Sequence, residues 1–238
     1  MVAGIQKQFE IVLQCFCMML FRLSILLMVP MVASAQPVPL SSLQGMNVNK
    51  VKAEPVMYKG KQALRVTDSV ADAQAANEDR LVVLTATDFK DGVIEVELAG
   101  EPGVGNVAGA RGFTGIAFHV AADLSKFECF YLRPTNGRAD DQVRRNHSLQ
   151  YISFPGFPWQ KLRKEFPEMY ESYADLVPGE WTKVRIEVSG VKAKLFVNGV
   201  SQSSLLVNDL KHGEARGAIG LWIGPGTMAH FANLKITK

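Results

Sequence analysis

The chain has 238 residues, with 26 lysines and arginines against 23 aspartates and glutamates and a formal net charge of +3. So small an excess provides no global basic field, which excludes the electrostatic signature of a nucleic-acid partner. The length and a hydrophobic content of 47% suit one large β domain with its own core.

Residues 1–35 read as a signal peptide. The stretch FCMMLFRLSILLMVPMVASAQ has an apolar centre and ends in Ala33-Ser34-Ala35, the small-residue pattern that precedes a cleavage site, here before Gln36. Arg22 interrupts the apolar run and Pro30 closes it, whereas a retained span needs ~20 clean apolar residues. The mature chain is then a single domain, residues 36–238, exported to the periplasm or the medium and free of the membrane once the leader is removed. Without Lys7, Arg22 and Glu10 it carries 24 basic and 22 acidic residues, so any electrostatic message is local. Cys15 and Cys17 leave with the leader, and Cys129, inside the apolar FECFYL, reads as a buried thiol with no internal disulfide partner.

Downstream, two-residue alternation recurs in QALRV (62–66), RLVVLT (80–85), GVIEVELA (92–99), FTGIAFHV (113–120) and KFECFYLR (126–133). It continues in SLQYISF (148–154), TKVRIEVSG (182–190), AKLFVNG (193–199), SSLLVNDL (203–210), GAIGLWIG (217–224) and HFANLKIT (230–237). Eleven short strands separated by turn residues predict an all-β sandwich or barrel. In WTKVRIEV, Val184, Ile186 and Val188 should face inward, with Lys183, Arg185 and Glu187 outward. Val191, Ala193, Leu195 and Val197 should share one face of the next strand, and Asn198-Gly199 supplies the positive φ values of a type I′ hairpin. The exception is PGFPWQKLRKEFPEMYESYADLVPG (155–179), a short helical excursion near 158–173 opened by Pro158 and cut short by Pro167.

Several motif-like patterns have plainer explanations. GVGNVA (103–108) matches a dinucleotide fingerprint only formally, because the strand-like RGFTGIAFHV follows it instead of a phosphate-facing helix. Glu95 and Glu97 alternate with Val96 and Leu98 and read as a solvated strand face. His119, His147, His212 and His230 have no metal-ligand spacing, so a divalent metal would need a site assembled in space.

The concentrated chemistry lies in FYLRPTNGRADDQVRRNHSLQY (130–151). On the strand before it, Tyr131 and Arg133 share a face, and a long-looped hairpin would set them beside Gln150 or Tyr151. Trp222 points away from the apolar row of Ile219, Leu221 and Ile223. Aromatic rings close to planar polar groups suit saccharides, whose C–H faces pack on rings while hydroxyls take paired hydrogen bonds. The alternative is a brace, in which the arginines are spent on Asp140 and Asp141.

GFTGIAFHV, FECFYLRPTNGR, QYISFPGFPW, EWTKVRIEVSGVKAKLFVNG and GAIGLWIGPGTMAHFANLKI, in that order, resemble the concanavalin A-like lectin/glucanase superfamily. Within it they are most similar to exported bacterial LamG-like and 3-keto-disaccharide hydrolase-like (DUF1080-type) domains. The resemblance covers most of residues 80–238 and implies a jelly-roll sandwich of two antiparallel sheets, whose concave face and rim loops bind saccharides in many members. The glucanase motif E-x-D-x-E is missing, since EVE at 95–97 lacks its central aspartate and its spacing.

The leading expectation is therefore an exported carbohydrate-binding sandwich using its concave sheet face and the 133–160 loop. Its candidate ligand-binding residues are His119, Tyr131, Arg133, Asn136, Arg138, Arg145, Gln150, Tyr151, Trp159 and Trp222. The enzymatic alternative is a glycoside hydrolase or 3-keto-sugar lyase or hydrolase in which Asp140 or Asp141 works with His147. A third reading is a structural or interaction module without a glycan.

Overall fold

The computed structural model describes residues 34–68, 79–104 and 108–238. The expected signal peptide falls almost wholly outside the described residues, as does the middle of GVGNVA. The described strands are β1 (Gln36–Pro37), β2 (Met46–Asn49), β3 (Val51–Tyr58), β4 (Lys61–Asp68), β5 (Leu81–Phe89), β6 (Gly92–Pro102), β7 (Thr114–Val120) and β8 (Phe127–Leu132). They continue with β9 (Leu149–Phe154), β10 (Glu171–Ser172), β11 (Thr182–Ser189), β12 (Lys192–Val197), β13 (Leu205–Val207), β14 (Gly217–Ile223) and β15 (Thr227–Thr237). Two short helices, α1 (Gln142–Asn146) and α2 (Trp159–Glu165), flank β9.

The strands form two antiparallel sheets. The first runs β13-β12-β11-β6-β15-β4-β3 with β1 added on β15, and the second runs β10-β9-β8-β7-β14-β5-β2. Their facing sides make the core. Ile94, Val96 and Leu98 of β6 and Val184, Ile186 and Val188 of β11 are buried from the first sheet. Ile116, Phe118, Phe130, Leu132, Leu149, Tyr151, Leu221 and Ile223 are buried from the second. The two layers come close enough at Gly100 that a Cβ there would lie 2.5 Å from Thr114 Cγ2, so only glycine fits.

The first sheet has the wet outer face that the alternation in WTKVRIEV predicts, with Lys183 exposed and Arg185 and Glu187 half-buried. Phe196, on that outer face, is only 6% exposed, because the Arg185 guanidinium lies 3.9 Å from its ring centroid. The hairpin chemistry differs in position from the expectation. Asn198 and Gly199 do adopt φ of 54° and 76°, but they open the longer β12–β13 connection, and the tight β11–β12 turn is Gly190-Val191. Val191 therefore lies in the turn, 38% exposed, and does not share the inward row.

The second sheet differs more. Every residue of β7 and β8 is buried, so its outer side is as enclosed as its inner one. The 155–179 excursion is anchored by the buried Leu162, Tyr170 and Leu176. Its helix is shorter than the expected 158–173 element: α2 ends at Glu165 ahead of Pro167, and Glu171–Ser172 pairs with β9 as an edge strand. Strand β3 had no clear sequence signal because Pro55 interrupts VKAEPVMY; β3 ends the sheet order, where a proline is tolerated.

Candidate ligand-binding site at the rim of the second sheet

Strict alternation along β8 and β9 places the site. Tyr131 pairs with Gln150 and Phe130 with Tyr151, so Tyr131 and Gln150 share the outer face while Tyr151 points into the core. On the other side of Tyr131 stands Gly115, which also pairs with Trp222. A Cβ at Gly115 would sit 2.5 Å from Tyr131 Cβ. The bare glycine lets the Tyr131 and Trp222 rings approach across it, with centroids 4.8 Å apart.

Arg133 follows the last residue of β8 and is held by its backbone N–H, which donates to Ser148 O at 2.8 Å. Its guanidinium donates from Nη1 to His147 O at 2.9 Å and to Glu171 Oε1 at 3.2 Å. From Nη2 it donates to Tyr131 Oη at 2.8 Å and Gln150 Oε1 at 2.9 Å. Four of the five guanidinium hydrogens thus have fixed partners. Gln150 is itself fixed, because Nε2 donates to Tyr151 O and Tyr170 O at 2.9 and 3.1 Å. Asn136 Nδ2 donates to the same His147 O at 3.2 Å, while its buried Oδ1 has no hydrogen-bond partner among the described residues.

Glu171 closes the network from the edge strand β10, facing Gln150. Its carboxylate accepts from Arg133 and also from Arg163, whose Nε donates to Oε2 at 2.8 Å and whose Nη2 donates to Oε1. Burial works against the charge on Glu171, but the Arg163 hydrogen bonds and the two guanidiniums outweigh it and hold the carboxyl below its usual range. His147 lies with Nε2 3.6 Å from Glu171 Oε2. Burial lowers its pKa, assisted by Arg163 and Arg133 and opposed by Glu171. Trp159, at the start of α2, has the Arg163 guanidinium 4.6 Å and that of Arg133 5.6 Å from its ring. The interior of the cluster is closed, while the partly exposed side chains of Trp159, His147 and Arg163 give it an accessible edge.

The fold therefore brings Tyr131, Arg133, Asn136, His147, Gln150, Trp159 and Trp222 together, and moves the other candidates away. Tyr151 is fully buried between the sheets and donates to Glu128 at 2.6 Å, so it presents no face to a ligand. His119 is buried toward the other end of β7, with Nε2 2.7 Å from Lys90 O. Arg138 makes an exposed two-point pair with Asp175 at 2.7 and 2.9 Å, and Arg145 donates to Tyr173 Oη at 3.3 Å. Asp140 and Asp141 are exposed; neither pairs with an arginine side chain among the described residues, and Asp141 caps α1 by accepting from Arg144 N at 3.1 Å. Among the described residues the ion-pair partner of His147 is thus Glu171, with Asp141 acting on it only at longer range.

Glu171 and Arg163 were missed by sequence reasoning. A usable signal existed: an arginine aimed along an apolar strand demands a carboxylate, and the adjacent excursion offers Glu165, Glu168 and Glu171. Among the described residues, no group of three histidine, cysteine, aspartate or glutamate side chains is arranged to hold a metal.

No family model and no curated relative matches the chain. Solved structures do. A carbohydrate-binding module, CBM66 from Bacillus subtilis, aligns with a TM-score of 0.51 at 11% identity over 81% of this chain and 96% of its own. A Bacillus subtilis protein of unknown function with a galectin-like fold aligns with a TM-score of 0.53 at 11% identity over 86% and 98%. The chain thus has the galectin-like, concanavalin A-type β-sandwich fold.

Proposed function

We propose that this protein is an exported carbohydrate-binding β-sandwich, periplasmic or secreted, and that saccharide docks at the rim formed by Trp159, His147, Arg163 and the Arg133 cluster. The observation that carries this reading is the partly exposed ring of Trp159, flanked by the Arg163 guanidinium at 4.6 Å and set beside the buried, pre-ordered Arg133–Glu171 pair. A sugar needs a ring to pack its C–H face against and polar groups that pay little entropy on binding. The leader-like residues 1–35 support export, and among the described residues no helix is long and apolar enough to cross a membrane. Within the superfamily, the WTKVRIEVSGVKAKLFVNG hairpin supports a place near the LamG-like and 3-keto-disaccharide hydrolase-like domains.

Binding is favoured over catalysis by the fate of the carboxylates. Both oxygens of Glu171 are committed to arginines, which leaves it a poor proton donor, and among the described residues neither Asp140 nor Asp141 makes a hydrogen bond or ion pair with His147. The experiment is a glycan array probed with the mature protein. Binding to one glycan class is expected; no binding to any neutral or acidic glycan would remove the proposal.

A further inference from the structure

The segment that supplies Trp159, Arg163 and Glu171 to the rim is gripped by a lysine that lies outside it. Lys211, in the connection between β13 and β14, holds its Nζ 4.4 Å from the ring centroid of Phe166 and 4.7 Å from that of Tyr170, with Phe157 further off at 5.7 Å. Nζ donates to Asp209 Oδ2 at 2.7 Å, and the Tyr170 hydroxyl donates to the same carboxylate, lying 2.7 Å from Oδ2 and 2.9 Å from Oδ1. The Lys211 side chain is only 11% exposed, so rings and carboxylate replace most of the water around its charge, the setting in which cation–π attraction is strongest. The rings come from telling positions. Phe157 and Phe166 flank α2 at its two ends, and Tyr170 immediately precedes Glu171. Phe166 N donates to Leu162 O at 2.8 Å, closing the last turn of α2, and its ring meets that of Tyr170 edge-on at 5.8 Å. Phe157 is shared with Lys161, 4.5 Å from its ring, which leaves Phe166, Tyr170 and Asp209 as the tighter part of the grip.

The lysine stands on a fixed base. The N–H of the buried Leu210 donates to Val191 O at 2.8 Å, that of Lys211 to Tyr151 Oη at 2.9 Å, and that of His212 to the buried Glu128 Oε1 at 2.9 Å. Three successive residues are thus tied, one to the β11–β12 turn of the first sheet and two to the second sheet, so the base does not depend on any one bond. A charge fixed to the sandwich and met by rings from both ends of α2 dictates where that helix sits. We propose that Lys211 is a positioning residue for the rim site: it clasps residues 157–171 against the sandwich and sets Trp159, Arg163 and Glu171 in place beside Arg133. This deepens the carbohydrate-binding reading above and rests on it for the consequence in binding. A ring held in place beforehand needs little further ordering when a sugar packs on it.

The test compares wild type with Lys211→Met, which keeps an apolar stem and removes the charge, and with Lys211→Arg, which keeps a cation. Each protein is followed by amide hydrogen exchange and, after labelling with 5-fluorotryptophan, by fluorine NMR, the Trp159 resonance being assigned through Trp159→Phe. In Lys211→Met the amides of residues 157–171 should exchange about ten-fold faster or more, while those of β11 and β12 keep wild-type rates. The Trp159 resonance should shift or broaden while that of Trp181 stays. On the glycan array, the signal at each glycan bound by wild type should fall about five-fold or more in Lys211→Met and return to near the wild-type level in Lys211→Arg. Unchanged exchange, or an unmoved Trp159 resonance, overturns the clasp. Faster exchange spread over both sheets makes Lys211 a general stabiliser and overturns the positioning role, as does local loosening with array signals intact. A wild type that binds no glycan on the array removes the carbohydrate reading, and the clasp then stands or falls on the exchange rates and the fluorine resonance alone.

Discussion

Arg133 Nη1 and Glu171 Oε1 meet at 3.2 Å with their side chains 6% and 3% exposed, joining the end of β8 to the edge strand β10. Neither charge could remain there alone, since an uncompensated buried ion costs several kcal/mol. Glu171→Gln leaves Arg133 and Arg163 without their carboxylate and should lower unfolding free energy by about 3–5 kcal/mol, read by urea denaturation at pH 7. Because the folded carboxyl titrates below its unfolded value, its stabilisation is complete above the unfolded pKa and is lost as pH falls through the folded one. The gap between wild type and the glutamine variant should therefore close in acid.

Tyr151 tests the alternation directly. Its hydroxyl donates to the buried Glu128 and accepts from Lys211 N at 2.9 Å, and burial followed by Glu128 raises its pKa. Tyr151→Phe should cost about 1–3 kcal/mol through the hydrogen bonds lost at Glu128 and Lys211. Glycan affinity should be unchanged, because the ring faces the core; a loss of affinity without a loss of stability would return Tyr151 to the site.

Arg138 illustrates what the sequence could and could not convey. Its pair with Asp175 is short, but the side chains are 65% and 57% exposed, and solvent screens such pairs so that they add little to stability. Arg138→Ala should leave both the melting temperature and glycan binding close to wild type. A brace against Asp140 and Asp141 was equally consistent with FYLRPTNGRADDQVRRNHSLQY, because spacing along a loop does not say which acid an arginine finds.

The strands and their faces were legible because a period of two is imposed by the backbone itself. That rule was enough to set Tyr131, Arg133 and Gln150 together. The same rule turns Tyr151 inward, since it alternates with Gln150 along β9. Glu171 was not legible, since its role depends on β10, a two-residue edge strand with no periodicity of its own. Nor was the enclosure of the second sheet's outer side, which depends on tertiary packing and not on any local pattern.

His230 gives the protein an acid-sensitive point away from the rim. It is 2% exposed, stacked on Tyr58 with ring centroids 3.6 Å apart, and its buried Nδ1 has no hydrogen-bond partner among the described residues. Burial, with Arg65 and Lys59 nearby, lowers its pKa to about 4. The unfolded chain takes up this proton first, so stability falls as pH drops below the ordinary histidine value of 6.5 and continues to fall until about 4. A shift of that size corresponds to on the order of 3 kcal/mol. His230→Phe keeps the stacking and should flatten much of the decline in melting temperature between pH 7 and pH 4.5, with the lowered pKa of His147 accounting for part of what remains.

In the proposed carbohydrate-binding role, sugar meets Trp159 at the rim. Isothermal titration of the tightest array ligand against wild type, Trp159→Ala and Arg138→Ala measures this directly, with a melting curve confirming that each variant is folded. Binding should weaken at least ten-fold in Trp159→Ala, as expected for loss of a stacking ring, and remain unchanged in Arg138→Ala. Wild-type affinity in a folded Trp159→Ala would contradict the placement of the site at this rim.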